Sequence, residues 1–122
     1  MDNFSFLKDF PSSFIFGTAT SSYQIEGNQY GGCGKSIWDD FAKRKLNGID
    51  GLNACNHYEY FEEDIKLIKD LGFRAYRFSF SWPRIYPENN RELNNEGVDF
   101  YHRLLDKILE NGLEPFPTLY HW

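Results

Sequence analysis

The chain has 122 residues, 41% hydrophobic and 19% aromatic, with a formal net charge of −5; this composition suits one folded, core-forming domain and excludes a disordered segment. The acidic charge is spread along the chain, so it predicts no partner among nucleic acids or anionic membrane surfaces. No apolar run approaches the roughly 18 residues of a spanning helix, and the start MDNFSFLKDF lacks the basic, apolar pattern of a secretory signal, which makes a cytoplasmic setting the expectation.

The first predicted element is a strand at FIFGTAT, and a long loop follows it. Within that loop GGCGKS, Gly31 to Ser36, looks like the end of a phosphate-binding loop. The position that should hold its first glycine is Gln29, and no strand leads directly into it, so a tightly turning glycine-rich loop is the favoured reading over a nucleotide-binding domain. Cys33 and Cys55 match no paired zinc or redox spacing and are expected to be two reduced structural thiols.

After Asn56 the apolar residues Tyr58, Phe61, Ile65, Ile68 and Leu71 recur at steps of three and four, which predicts a helix. Asn56 is the expected cap, with Glu59 three residues on, and Gly72 the stop. Glu62, Glu63 and Asp64 then lie in the N-terminal half, where the helix dipole tolerates anions, and read as a solvated face with no metal role. His57 and His102 read as ordinary capping or surface residues.

FRAYRFSFSW is the next strand. One side carries Tyr76, Phe78, Phe80 and Trp82 and suits packing under helices; the other carries Ala75, Arg77, Ser79 and Ser81. A second helix runs from about Asn95 to Asn111, with Val98, Tyr101, Leu104 or Leu105, and Ile108 on one face and Gly112 as its stop, and EPFPTLYHW closes the chain as a third strand. Strand and helix alternate, so the units are βαβ and the sheet is parallel.

Right-handed crossovers put both helices on one face of that sheet and leave the other bare. A doubly wound domain solves this with helices on both faces, and a (β/α)8 barrel solves it by closing the sheet on itself. The small, polar side of the second strand, built around Arg77, is a poor open-sheet core but a plausible layer inside an enzyme barrel. A buried guanidinium keeps its proton and needs a carboxylate, and none is evident on the neighbouring strands. The chain therefore reads as the front portion of something larger.

Three stretches, SSYQIEGNQYGGCGKSIWDDF, NHYEYFEEDIKLIKDLGFRAYRFSFSWPRIYPE and GLEPFPTLYHW, together closely resemble the N-terminal part of glycoside hydrolase family 1, from about Phe10 to Trp122. Members of that family are retaining β-glycosidases on (β/α)8 barrels. The resemblance implies an α/β fold in which residues 1–122 supply the first three β/α segments of a single TIM-barrel domain, incomplete in this chain.

It also implies roles for particular residues. Gln24 would bond sugar hydroxyls, a task suited to an amide because it both donates and accepts; by composition alone Gln24 reads as a loop amide satisfying backbone groups. His121 would be a second hydroxyl ligand and Trp122 an aromatic wall beside it, whereas on their own the two read as a strand end packed into a core. Arg77 would support the nucleophilic carboxylate, keeping it ionised and oriented. Glu26 does not occupy a catalytic place in the motif, so a structural ion pair or hydrogen bond is expected of it.

Neither catalytic motif of the family is in the sequence. The acid/base belongs to an N-E-P motif after strand four and the nucleophile to a T-E-N-G-like motif after strand seven, so no residue of this chain is expected to be catalytic. The expectation is the N-terminal segment of a β-glucosidase-type enzyme, inactive alone, that needs no metal or cofactor, takes a β-glucoside or oligosaccharide, and works with a complementary C-terminal barrel chain. YQIEG and FSFSWPRIYPE look more like the β-glucosidase branch than the 6-phospho branch. The alternative is a non-catalytic sugar-binding or interaction module derived from the same barrel.

Overall fold

The computed structural model describes residues 9–88 and 91–121. Its elements in chain order are β1 (Gly17–Ala19), α1 (Ser22–Ile25), α2 (Ile37–Lys45), α3 (His57–Asp70), β2 (Ala75–Ser79), α4 (Trp82–Ile85), α5 (Asn95–Glu110) and β3 (Glu114–Thr118). The three strands form one parallel sheet in the order β1-β2-β3, with Ala19, Arg77 and Phe116 in register across it.

The two long helices lie where the apolar periodicity puts them, and both stop in the same way. Gly72 and Gly112 adopt φ of 85° and 70°, a left-handed backbone that glycine reaches without a Cβ penalty. At each end the glycine N–H bonds three residues back into the helix (to the carbonyls of Lys69 and Leu109), and the next N–H bonds the carbonyl of Ile68 or Ile108, a Schellman closure.

The core lies between α3, α5 and one face of β2. Phe61 and Ile65 from α3, Phe100 and Ile108 from α5, and Tyr76 and Phe78 from β2 are all buried; each such side chain contributes on the order of 1.5–3 kcal/mol when removed from water. The opposite face is bare as expected: Gly17, Ala19, Glu114 and Phe116 are exposed and Arg77 is half-buried. Ala75 and Ser79 are the exceptions on β2; both are buried, and the N-terminus of α1 bonds Ser79.

Four local expectations are corrected. The long loop contains two helices, α1 and α2. Trp82 does not continue the aromatic side of the strand; the strand ends at Ser79, and Trp82 opens α4 with Pro83 beside it and is 45% exposed. Asn56 does not cap α3 with its side chain: it adopts φ 54°, and the free Tyr58 N–H is taken instead by the Glu26 carbonyl at 3.0 Å. His57 is not a surface residue; it is buried, with Nδ1 2.7 Å from Asp64 Oδ2.

Candidate functional site

In parallel α/β sheets ligands gather at the C-terminal ends of the strands, where successive loops converge. Here those loops carry α1 after β1, α4 after β2 and the segment 119–121 after β3. They enclose a cleft of about 280 Å³ whose walls include Ser21, Trp38, Ser81, Trp82, Tyr120 and His121. Its rim is aromatic on one side. Trp82 Nε1 donates to the Leu119 carbonyl at 2.7 Å, and the Trp82 ring stacks on Tyr86 with centroids 5.7 Å apart.

His121 reaches this cleft. Gln24, on α1, is exposed at the same end of the sheet but does not line the cleft; Ser21, which does, donates its hydroxyl to Gln24 Oε1 at 2.5 Å. Trp122 lies outside the described residues. Arg77 projects from the middle of β2 on the bare face and donates to the Thr20 carbonyl, and among the described residues no carboxylate forms an ion pair with it.

Glu26 is a structural residue, as expected of it. It is 2% exposed, its Oε2 accepts from Arg84 Nε at 2.9 Å and its Oε1 accepts from the Tyr101 hydroxyl at 2.8 Å. Burial pushes the carboxyl up from its ordinary range, and the Arg84 charge and the Tyr101 hydroxyl pull it back. With both oxygens engaged, Glu26 has no oxygen directed at the cleft.

Arg84 is the residue that sequence reasoning missed. Its side chain is fully buried, donates to the carbonyls of Tyr30 (2.7 Å) and Gly27 (3.1 Å) besides Glu26, and lies over the Tyr58 ring at 4.6 Å. The available signal was an arginine in the otherwise apolar stretch WPRI, a few residues past the strand. Tyr101 was visible only as part of an apolar stripe, yet its hydroxyl also accepts from Ser81 N–H at 2.7 Å.

The GGCGKS stretch does not form a phosphate cradle. Ser36 caps α2, its Oγ accepting from Trp38 N–H at 3.2 Å, while Asp39 Oδ2 accepts from Ser36 N–H at 2.6 Å. The helix end that a phosphate would need is occupied by the chain's own carboxylate. Gly34 serves packing, since a Cβ there would fall 2.1 Å from the Pro87 carbonyl oxygen. Cys33 and Cys55 are unpaired, and burial pushes the Cys33 thiol up, away from a reactive thiolate. The acidic run on α3 keeps its solvated face, and two of its members also have partners: Glu62 pairs with Lys107 at 3.2 Å, and Asp64 holds His57. His102 is exposed.

The sequence model of the family described as Glycosyl hydrolase family 1 matches residues 6–122. The chain is 53% identical over 117 residues to Beta-glucosidase A of Acetivibrio thermocellus, covering 93% of this chain and 26% of that protein. To Beta-glucosidase A of Thermotoga maritima it is 50% identical over 120 residues, covering 95% of this chain and 27% of the relative. Among solved structures, the family 1 β-glucosidase from Thermotoga maritima superposes with a TM-score of 0.86 at 50% identity, again over 93% of this chain and 26% of the other. The chain thus spans about a quarter of the length of these relatives. Its three-stranded parallel sheet is part of a (β/α)8 barrel.

Proposed function

Because the chain belongs to glycosyl hydrolase family 1, we propose that it is the N-terminal part of a retaining β-glycosidase of the β-glucosidase kind, acting on β-glucosides or oligosaccharides by double displacement. The observation that carries this reading is Arg77: a half-buried guanidinium at the centre of a bare sheet face, with no carboxylate paired to it among the described residues. Retaining hydrolysis needs two carboxylates about 5–5.5 Å apart, one to protonate the leaving oxygen and one to attack the anomeric carbon. Glu26 is unfit for either task, because Arg84 and Tyr101 occupy its oxygens. Both catalytic groups then come from the remainder of the barrel, whether as further chain or as a complementary polypeptide.

In this reading Arg77 faces the nucleophile and keeps it ionised, while Gln24, His121 and Trp122 hold the sugar hydroxyls and ring. The exposed aromatic rim of Trp82 and Tyr120 supports a role in carbohydrate contact, since ring faces shed water readily against the C–H faces of a pyranose. A cytoplasmic setting remains part of the proposal, and the unpaired Cys33 and Cys55 support it. The alternative, an independent binding module, would have to leave the β3 edge and the face around Phe116 uncovered.

The test is hydrolysis of an aryl β-glucoside by the chain with and without the complementary barrel portion, following the anomeric configuration of the first product by NMR. Turnover with retention only in the combined sample supports the proposal. Absence of turnover in the combined sample, or inversion, overturns it.

A further inference from the structure

The segment that bears Gln24 is a helix of four residues. A single turn has almost no stability of its own in water, because nucleation fixes several dihedral angles for one hydrogen bond. The pose of Gln24 must therefore be imposed from outside α1, and contacts at both ends do so.

At the N-terminal end, Ser22 N–H donates to Ser79 Oγ at 2.9 Å, and Ser79 is 1% exposed on β2. At the C-terminal end, Glu26 follows α1 directly. Its backbone carbonyl accepts from Tyr58 N–H at 3.0 Å, and its carboxylate is held between Arg84 and Tyr101. Arg84 directs three nitrogens at this loop alone: Nε to Glu26, Nη2 to the Gly27 carbonyl and Nη1 to the Tyr30 carbonyl. An apolar side chain could fill the space beside Tyr58 and Phe100, but it could not satisfy a carboxylate and two carbonyls at once. The rigid fork of arginine fits this task, and the single ammonium of lysine does not.

We propose that Arg84 is a positioning residue for sugar recognition, fixing α1, and with it the Gln24 amide, against the C-terminal end of β2. This rests on the proposed function only as to what Gln24 binds; the clamping of α1 stands on the geometry alone. Arg84 is too deeply buried to touch a substrate, so it acts through the segment 22–27.

Two measurements decide the matter. The first uses the chain combined with the complementary barrel portion and compares kcat/KM on an aryl β-glucoside for Arg84→Lys, Gln24→Ala and the double variant. Arg84→Lys should lower kcat/KM by about tenfold or more, and should have less than about a twofold further effect once Gln24 is alanine, because residues acting as a unit are not additive. Multiplying effects, or an unchanged kcat/KM in Arg84→Lys, overturn the inference. The second is amide hydrogen exchange of the chain in its native preparation, for Arg84→Lys and Glu26→Gln. Faster exchange across 22–27 with unchanged protection in β2 and α5 is the expected result. Uniform acceleration over the whole chain would make Arg84 a general core residue and overturn the inference, as would no acceleration at 22–27. Should the wild-type assembly lack glucosidase activity, the proposed function fails, and the exchange measurement alone judges the clamp.

Discussion

Arg84 Nε lies 2.9 Å from Glu26 Oε2, and neither side chain reaches solvent appreciably. The two are 58 positions apart in the chain and join the loop after β1 to the short helix after β2. Burying two charges has a large desolvation cost, which is offset here because the pair has further partners: Tyr101 for the carboxylate, two carbonyls for the guanidinium.

Breaking that pair from one side leaves a buried charge without its counterion. Arg84→Met is expected to destabilise the folded protein by about 3–5 kcal/mol, and the double variant Arg84→Met with Glu26→Gln by less than the sum of the two single changes. Denaturant unfolding of the four proteins, each combined with the complementary barrel portion, measures this in a double-mutant cycle; strictly additive losses would show that the two side chains do not interact.

The chain alone is expected to show no hydrolysis of an aryl β-glucoside above background, since neither Glu26 nor any other described carboxylate is placed beside Arg77 as a nucleophile would be. Turnover by the isolated chain that disappears with Glu26→Gln would make Glu26 catalytic.

Phe116 is 49% exposed in the middle of β3, and among the described residues no strand pairs with the outer edge of β3. Apolar surface beside an open edge drives association. The isolated chain should self-associate or lack a sharp melt, and adding the complementary barrel portion should yield a single stoichiometric complex. Sedimentation velocity checks both, and a cooperative melt from a clean monomer would contradict the expectation.

Arg77→Met in the combined enzyme should impair turnover far more than assembly. Removing one preorganised charged partner from a reacting carboxylate weakens transition-state stabilisation by about 2–4 kcal/mol. Methionine fills much of the same space on a half-buried strand position, so assembly is retained. Near wild-type kcat/KM would show that Arg77 has only a structural role.

Burial pushes the Tyr76 hydroxyl up to about 12, and that of Tyr101 well above its ordinary value. A raised folded value means that this stability is complete below the unfolded pKa of about 10 and is lost as pH rises through the folded value. Ultraviolet titration of the folded protein should therefore show late-ionising tyrosines above pH 11, accompanied by unfolding. In Tyr76→Phe the late component should shrink; an unchanged titration would place Tyr76 among the freely ionising residues.

The sequence by itself determined the elements whose signals are local. Apolar recurrence from Tyr58 to Ile68 and from Val98 to Ile108 specified α3 and α5, because a 3.6-residue period leaves one apolar face that only burial satisfies. Gly72 and Gly112 ended them, because the left-handed closing residue favours the side chain that is absent. The alternation of Tyr76 and Phe78 with Ala75, Arg77 and Ser79 specified β2 and the face that the helices cover; on the other face Arg77 is half-buried, while Ala75 and Ser79 are buried. The start of α2 was also legible in Ser36 followed by Asp39, although the adjoining GGCGKS drew attention to phosphate chemistry instead.

What only the tertiary structure decided depends on partners far apart in the chain. Asn56 does not cap α3 because the Glu26 carbonyl already takes the Tyr58 N–H, and no local rule foresees a donor satisfied from 32 positions away. His57 is buried with its ring edge-on to Tyr76 of β2, 6.4 Å between centroids, a neighbour 19 positions away that its own helix does not announce. Gln24 acquires a fixed pose from Ser79 and, through Glu26, from Arg84, two residues that sequence spacing places on a different β/α unit. Periodicity reports which face a residue occupies, but a hydrogen bond across more than fifty residues exists only once the sheet has brought its strands together.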